Sequence, residues 1–204
     1  AHILIYAADH GIAQEQVSAF PQSVTAEMVK NFSSGGAAIS VLSCQHKIPL
    51  QVVNMGLVTE LPEMALVDSV NIARGTKNFL HQSAMTSSQL SQAFVAARQQ
   101  VDALTKEGCE LLIAGEMGIA NTTSATALVC ALKNIEPERI TGSGTGLDHQ
   151  GISHKTDIIK RAIEQHKPSF NSALSILQIL GGLEIAALAA SYIPLCATGY
   201  YCPG

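Results

Sequence analysis

The residues with the most chemical potential lie in Gly115-Glu116-Met117-Gly118-Ile119-Ala120-Asn121-Thr122-Thr123, between an apolar run and a helical pattern. Free amides at a helix N-terminus carry partial positive charge, and preceding glycines let a ligand approach the backbone closely, so a junction of this kind is an anion site. A phosphate suits it. The lysine of a P-loop is missing, and Gly142-Ser143-Gly144-Thr145-Gly146 lacks the spacing of a dinucleotide fingerprint. Taken alone, the glycines are explained equally well by tight turns. Glu116 would repel a phosphate at short range, so its useful chemistry is accepting hydrogen bonds from ribose hydroxyls or a base nitrogen; otherwise it is a solvated turn carboxylate.

Three further residues carry ionisable groups in suggestive places. Asp9 and His10 end the apolar run Ile3–Ala8, where a buried parallel strand delivers polar groups to the carboxyl edge of a sheet. The alternative is structural, with Asp9 capping the turn and His10 bonded to backbone. Two such groups are too few for a metal site. Lys155 begins a helix after the glycine cluster and can neutralise a phosphate, although most lysines are simply solvated. The other histidines (His2, His46, His81, His149, His154, His166) form no i, i+4 pair, so no metal is expected.

These groups need a scaffold, and the pattern supplies one. The first strand is Ile3–Ala8. Ser23–His46 carries Met28, Phe32, Ile39 and Leu42 at helical spacing and is interrupted by Gly35-Gly36, which predicts two helices or one broken helix. A second strand covers Leu50–Asn54. From Thr86, the residues Leu90, Phe94, Ala97, Val101 and Leu104 share a helical face that stops at Gly108. A third strand, Glu110–Ala114, enters the junction, and the helix after it is expected to start on a Thr or Asn cap. A helix over Ile152–His166 ends before Pro168, and a helical pair flanks Gly181-Gly182. Alternating strands and helices predict an α/β fold with a parallel sheet, in a single domain over residues 1–204.

Composition excludes several classes of function. The chain is 47% hydrophobic and 14% charged, enough to bury a core and too apolar for disorder. A net charge of -4 disfavours a nucleic-acid partner. No apolar run reaches the roughly 18 residues of a membrane helix, so a soluble protein is expected. The five cysteines (Cys44, Cys109, Cys130, Cys196, Cys202) contain no C-x-x-C pair and read as buried thiols in a reducing cytoplasm.

Taken in order, Ala8-Asp9-His10-Gly11, Pro21-Gln22-Ser23-Val24-Thr25, Asn31-Phe32 with Gly35-Gly36-Ala37-Ala38-Ile39, the junction itself, Gly144-Thr145-Gly146 and Leu180-Gly181-Gly182-Leu183-Glu184-Ile185-Ala186 form a series. The series resembles the nicotinate-nucleotide:dimethylbenzimidazole phosphoribosyltransferase family from about Ile3 to about Ser191. The resemblance implies a Rossmann-like parallel sheet flanked by helices, with a small helical domain from the chain ends largely missing. It also implies a cytoplasmic homodimer that needs no cofactor. The reaction it implies, in cobalamin nucleotide-loop assembly, moves phosphoribose from nicotinate mononucleotide to 5,6-dimethylbenzimidazole, releasing nicotinate and α-ribazole 5′-phosphate.

By position, the resemblance makes Glu116 a carboxylate facing base and ribose and puts Gly118, Asn121 and Thr122 around the nucleotide. It puts Lys155 near the phosphate, with Gly144 and Gly146 shaping the loop beside it. Asp9, His10 and Gln16 fall among the substrate-binding positions, Asp9 and Gln16 on the benzimidazole side. Ala120 and Ser143 depart from the family, which commonly has glycine and arginine there. After Ser191 the sequence leaves the family pattern, and the distal glutamate held to be the general base is not found in it. The chain therefore reads as truncated at both ends relative to the family. The alternative to an enzyme is a non-catalytic remnant that binds nucleotide or azole.

Overall fold

The computed structural model describes residues 1–197, with side chains described through Ile193. Four strands form one parallel sheet: β1 (His2–Ala8), β2 (Leu50–Gly56), β3 (Val67–Ser69) and β4 (Leu112–Met117). Their order is β3-β2-β1-β4, with Ile5 opposite Val52 on one side and Gly115 on the other. Sequential strands on either side of β1 bring their carboxyl ends to one edge, where the junction lies.

The central strand β1 reads as a continuous apolar run because both sheet faces are covered there. Alternate side chains of β1 enter two cores. Leu4, Tyr6 and Ala8 pack with Val53, Met55 and the helices α3 (Ser87–Lys106) and α7 (Leu183–Ala197). Ile3, Ile5 and Ala7 pack with Leu50, Val52 and the Ala26, Val29 and Phe32 face of α1 (Val24–Ser33). α2 (Ala38–His46), α4 (Asn121–Lys133), α5 (His149–His166) and α6 (Ala173–Leu180) complete the layers. Each buried Leu or Ile contributes about 1.5–3 kcal/mol, so the two-sided sheet is the main store of stability.

The expected break at Gly35-Gly36 separates α1 from α2, with Gly35 at φ 82°. α3 starts on a capping box in which the Thr86 hydroxyl accepts from the Gln89 amide at 3.1 Å and the Gln89 side chain accepts from the Thr86 amide at 2.9 Å. One strand was not foreseen, and four expectations need correcting. β3 lies in a stretch too short and polar to show a strand pattern. The strand expected at Glu110–Ala114 lies at Leu112–Met117, so Glu116 is on β4 and not within the turn. α5 begins at His149 on an Asp148 cap, which puts Lys155 in its second turn and not at its start. α4 has no side-chain cap: Ala120 precedes it at φ 73°. Of the cysteines expected to be buried, Cys130 is, Cys109 is partly so and Cys44 is exposed. The Cys196 side chain and Cys202 lie outside the described residues.

Candidate functional site

The β4–α4 junction is built by close approach. A Cβ on Gly118 would come within 2.5 Å of the Ala8 carbonyl oxygen and 3.1 Å of the His10 ring, so only glycine lets the turn lie against the end of β1. The next amide, Ile119 N–H, donates to Thr25 Oγ1 at 3.0 Å, fixing the turn from the α1 side. Ala120 then adopts the left-handed conformation and starts α4.

Across the N-terminus of α4 lies Lys155. Its side chain is 1% exposed, and Nζ donates to Thr122 Oγ1 at 2.8 Å. Among the described residues no carboxylate pairs with it. Burial lowers its pKa, because a desolvated ammonium is disfavoured. Gly144, at φ 55°, closes this corner: a Cβ there would lie 2.8 Å from Thr122 Oγ1 and 3.0 Å from Lys155 Nζ. A buried cation beside the positive end of a helix has the charge to hold an anion.

At the mouth, Asn121 Nδ2 donates to Glu116 Oε2. Desolvation, and then the negative charge of Glu184, raise the Glu116 pKa, while His10 opposes the rise. Behind the mouth, His10 is fully buried, with Nε2 2.6 Å from Glu184 Oε1 and Nδ1 3.0 Å from Ser124 Oγ. Desolvation lowers its pKa, but the Glu184 carboxylate, helped by Asp9 and Glu116, outweighs that and leaves it raised.

The structure thus gathers Glu116, Gly118, Asn121, Thr122, Gly144 and Lys155 around one junction, with His10 packed behind Gly118. Asp9 is 2% exposed; Oδ2 accepts from the Val58 amide at 2.8 Å and Oδ1 has no partner. Burial raises its pKa, against the Val58 and Thr25 bonds. Gln16 is exposed at φ 56° and touches none of these groups by hydrogen bond. Its loop reaches the glycine cluster through Ala19 N–H to Thr145 Oγ1 at 2.9 Å. Gly146 faces open space. No group of three or more potential metal ligands occurs among the described residues.

Sequence reasoning gave no role to Glu184, Ser124 or Thr25. Glu184 had a signal, as the one acid in the apolar run Leu183–Ala190, since a charge placed there is buried and must find a partner. Ser124 and Thr25 had none.

Comparison with known proteins identifies relatives of this chain. A family model described as phosphoribosyltransferase matches residues 1–200. The chain is 47% identical over 197 residues to a nicotinate-nucleotide–dimethylbenzimidazole phosphoribosyltransferase of Xanthomonas axonopodis, covering 97% of this chain and 56% of that protein. It is 45% identical, with the same coverage of each, to the protein so named in Pseudomonas fluorescens. The crystal structure of CobT from Thermus thermophilus superposes at a TM-score of 0.91 and 37% identity, over 98% of this chain and 60% of that one. The chain spans just over half the length of the curated relatives it matches.

Proposed function

Since the chain belongs to the nicotinate-nucleotide–dimethylbenzimidazole phosphoribosyltransferase family, we propose that it takes part in phosphoribosyl transfer from nicotinate mononucleotide to 5,6-dimethylbenzimidazole, giving nicotinate and α-ribazole 5′-phosphate for cobalamin assembly. The observation that carries this is Lys155: a buried ammonium at the start of α4, hydrogen-bonded only to Thr122 Oγ1 among the described residues. A phosphate monoester supplies the missing charge.

With the phosphate at Lys155, Thr122 and the α4 N-terminus, the ribose extends towards Glu116. There a carboxylate accepts hydrogen bonds from ribose hydroxyls and faces the positive charge that develops at the anomeric carbon as nicotinate departs. Nicotinate in its nucleotide is already cationic at the ring nitrogen, so it leaves without a metal. The azole must lose its N–H proton as its other ring nitrogen attacks. Asp9, Gln16, Gly118, Asn121, Gly144 and Gly146 form the walls in this reading, with His10 behind Gly118 and with Asp9 and Gln16 on the azole side. The reading includes a cytoplasmic homodimer: thiols without a C-x-x-C pair support the compartment, and exposed apolar residues at the β4 edge support association.

One observation favours binding without turnover. Of the three acids at the junction, Glu116 is engaged by Asn121 while Asp9 and Glu184 are buried, so none of them is both exposed and unpaired. Incubating the chain with both substrates and separating products by chromatography decides between the two. α-Ribazole phosphate formed by the wild type and abolished in Glu116→Gln assigns the base to Glu116. Binding of nicotinate mononucleotide with no product supports the binder, and absence of binding rejects both.

A further inference from the structure

The pair His10–Glu184 lies behind the junction, not in its mouth, and both side chains are fully buried. Replacing a buried ion pair with apolar groups is often neutral or stabilising, so stability alone is a poor reason for its presence. Its placement supplies a better one. The His10 ring is held by Glu184 Oε1 at 2.6 Å on one nitrogen and Ser124 Oγ at 3.0 Å on the other. One edge lies against Gly118, where a Cβ would stand 3.1 Å from Cδ2 and 3.2 Å from Nε2. On another side, a Cβ on Gly182 would collide with His10 Cε1 and stand 2.6 Å from Glu184 Oε2. Two glycines therefore leave room for one ring in one orientation. The backbone of the same residue is anchored too, its carbonyl accepting from Gln22 Nε2 at 2.9 Å.

We propose that His10 and Glu184 are positioning residues of the nucleotide site. Their pair locks the Gly118–Ala120 turn, and with it the start of α4 and the strand end bearing Glu116, in the arrangement that receives the phosphoribosyl group. The proposal rests on the reading above that this site takes a nicotinate nucleotide. The charged groups facing the imidazole are Glu184 on α7, Asp9 at the end of β1 and Glu116 on β4, all acidic. As an imidazolium, His10 donates from Nε2 to Glu184 and from Nδ1 to Ser124. Loss of the Nδ1 proton keeps both hydrogen bonds, since the Ser124 hydroxyl can then donate, but removes the positive charge that holds the ring to the Glu184 carboxylate, so the turn loosens and nucleotide affinity falls.

The test is calorimetric titration of the full chain with nicotinate mononucleotide from below the ordinary imidazole value of 6.5 to well above it. Affinity is expected to fall as pH rises. The inflection vanishes in His10→Gln and moves towards the ordinary imidazole value of 6.5 in Glu184→Gln. Each variant loses on the order of tenfold to a hundredfold in affinity, the scale of a displaced binding group, and the double variant loses no more than the worse single. In the wild type, without any substitution, NMR of the imidazole nitrogens and of the Gly118 and Ile119 amides follows one common titration. Wild-type affinity in Glu184→Gln, or amide signals that ignore the imidazole titration, overturns the proposal. If the wild type binds no nucleotide while the amides still track His10, the functional reading fails and the locking of the turn stands.

Discussion

Lys155 Nζ donates to Thr122 Oγ1 across 2.8 Å from a side chain only 1% exposed, so a charge removed from water has a neutral hydroxyl as its partner. Burying a charge with only a neutral partner costs stability.

The first prediction follows from that cost. Burial lowers the Lys155 pKa, so between the lowered folded value and the ordinary 10.5 the unfolded chain binds more protons than the folded one, and the penalty shrinks as pH rises through that window. Lys155→Met is expected to raise the melting temperature of the free chain by a few degrees, the equivalent of about 1 kcal/mol for a domain of this size. The same change should abolish the stabilisation that nicotinate mononucleotide gives the wild type. Melting curves with and without nucleotide check both; a less stable Lys155→Met that still responds to nucleotide contradicts the assignment.

Ala120 sets up the second. A left-handed alanine costs about 1–2 kcal/mol, and φ 73° places Ala120 there. Glycine relieves that strain but loses about 0.8 kcal/mol of methyl burial and about 0.4–1 kcal/mol of backbone entropy. The terms nearly cancel, so Ala120→Gly is expected to change stability by less than about 1 kcal/mol. Removing the methyl opens the turn to closer approach, and nucleotide affinity should rise. Denaturant midpoints and titration calorimetry measure the two effects separately. Weaker binding with unchanged stability would mean that the methyl touches the ligand.

Much of the scaffold was legible because its signals are local. The apolar run of β1, the Gly35-Gly36 break and the helical face that runs from Thr86 each depend on residues within one or two turns of each other. β3 was not legible: three residues cannot display a period, and pairing with β2 alone makes them a strand. Ala120 was legible as a position where glycine is expected, but the cap of α4 was misassigned, since local propensity favours Asn or Thr and the close approach to β1 dictates a positive φ instead. Lys155 was recognisable as a basic residue near phosphate, whereas its burial arises from the packing of α5 on α4. The His10–Glu184 pair joins positions far apart in sequence, and no periodicity reports such a contact.

The third prediction concerns that pair. Removing one partner of a buried ion pair costs about 3–5 kcal/mol, so Glu184→Gln should lower the denaturant midpoint strongly below neutral pH. The His10 pKa is raised in the fold, which makes the pair's contribution complete below the unfolded value of 6.5 and lost as pH rises through the folded one. Wild type and variant should therefore converge in alkaline solution. Midpoints that stay equally far apart at every pH would show that the carboxylate acts by packing alone.

The fourth prediction comes from the sheet edge. β4 is an outer strand of the described sheet, and Ile113, opposite Ile3 in register, shares the face that α1 and α2 cover elsewhere. That layer stops short of it: Ile113 is 38% exposed and Leu111 56%, with Val129 and Leu132 exposed on the adjoining α4. An unpaired strand with apolar side chains is a template for another copy. The chain is expected to self-associate with rising concentration in sedimentation velocity, and Ile113→Lys should shift it towards monomer with at most a small fall in melting temperature, since a lysine stem can cover the same surface while its charge stays in water. Association unchanged by the lysine would place the contact elsewhere, and the exposed Val129 and Leu132 of α4 are then the next residues to charge.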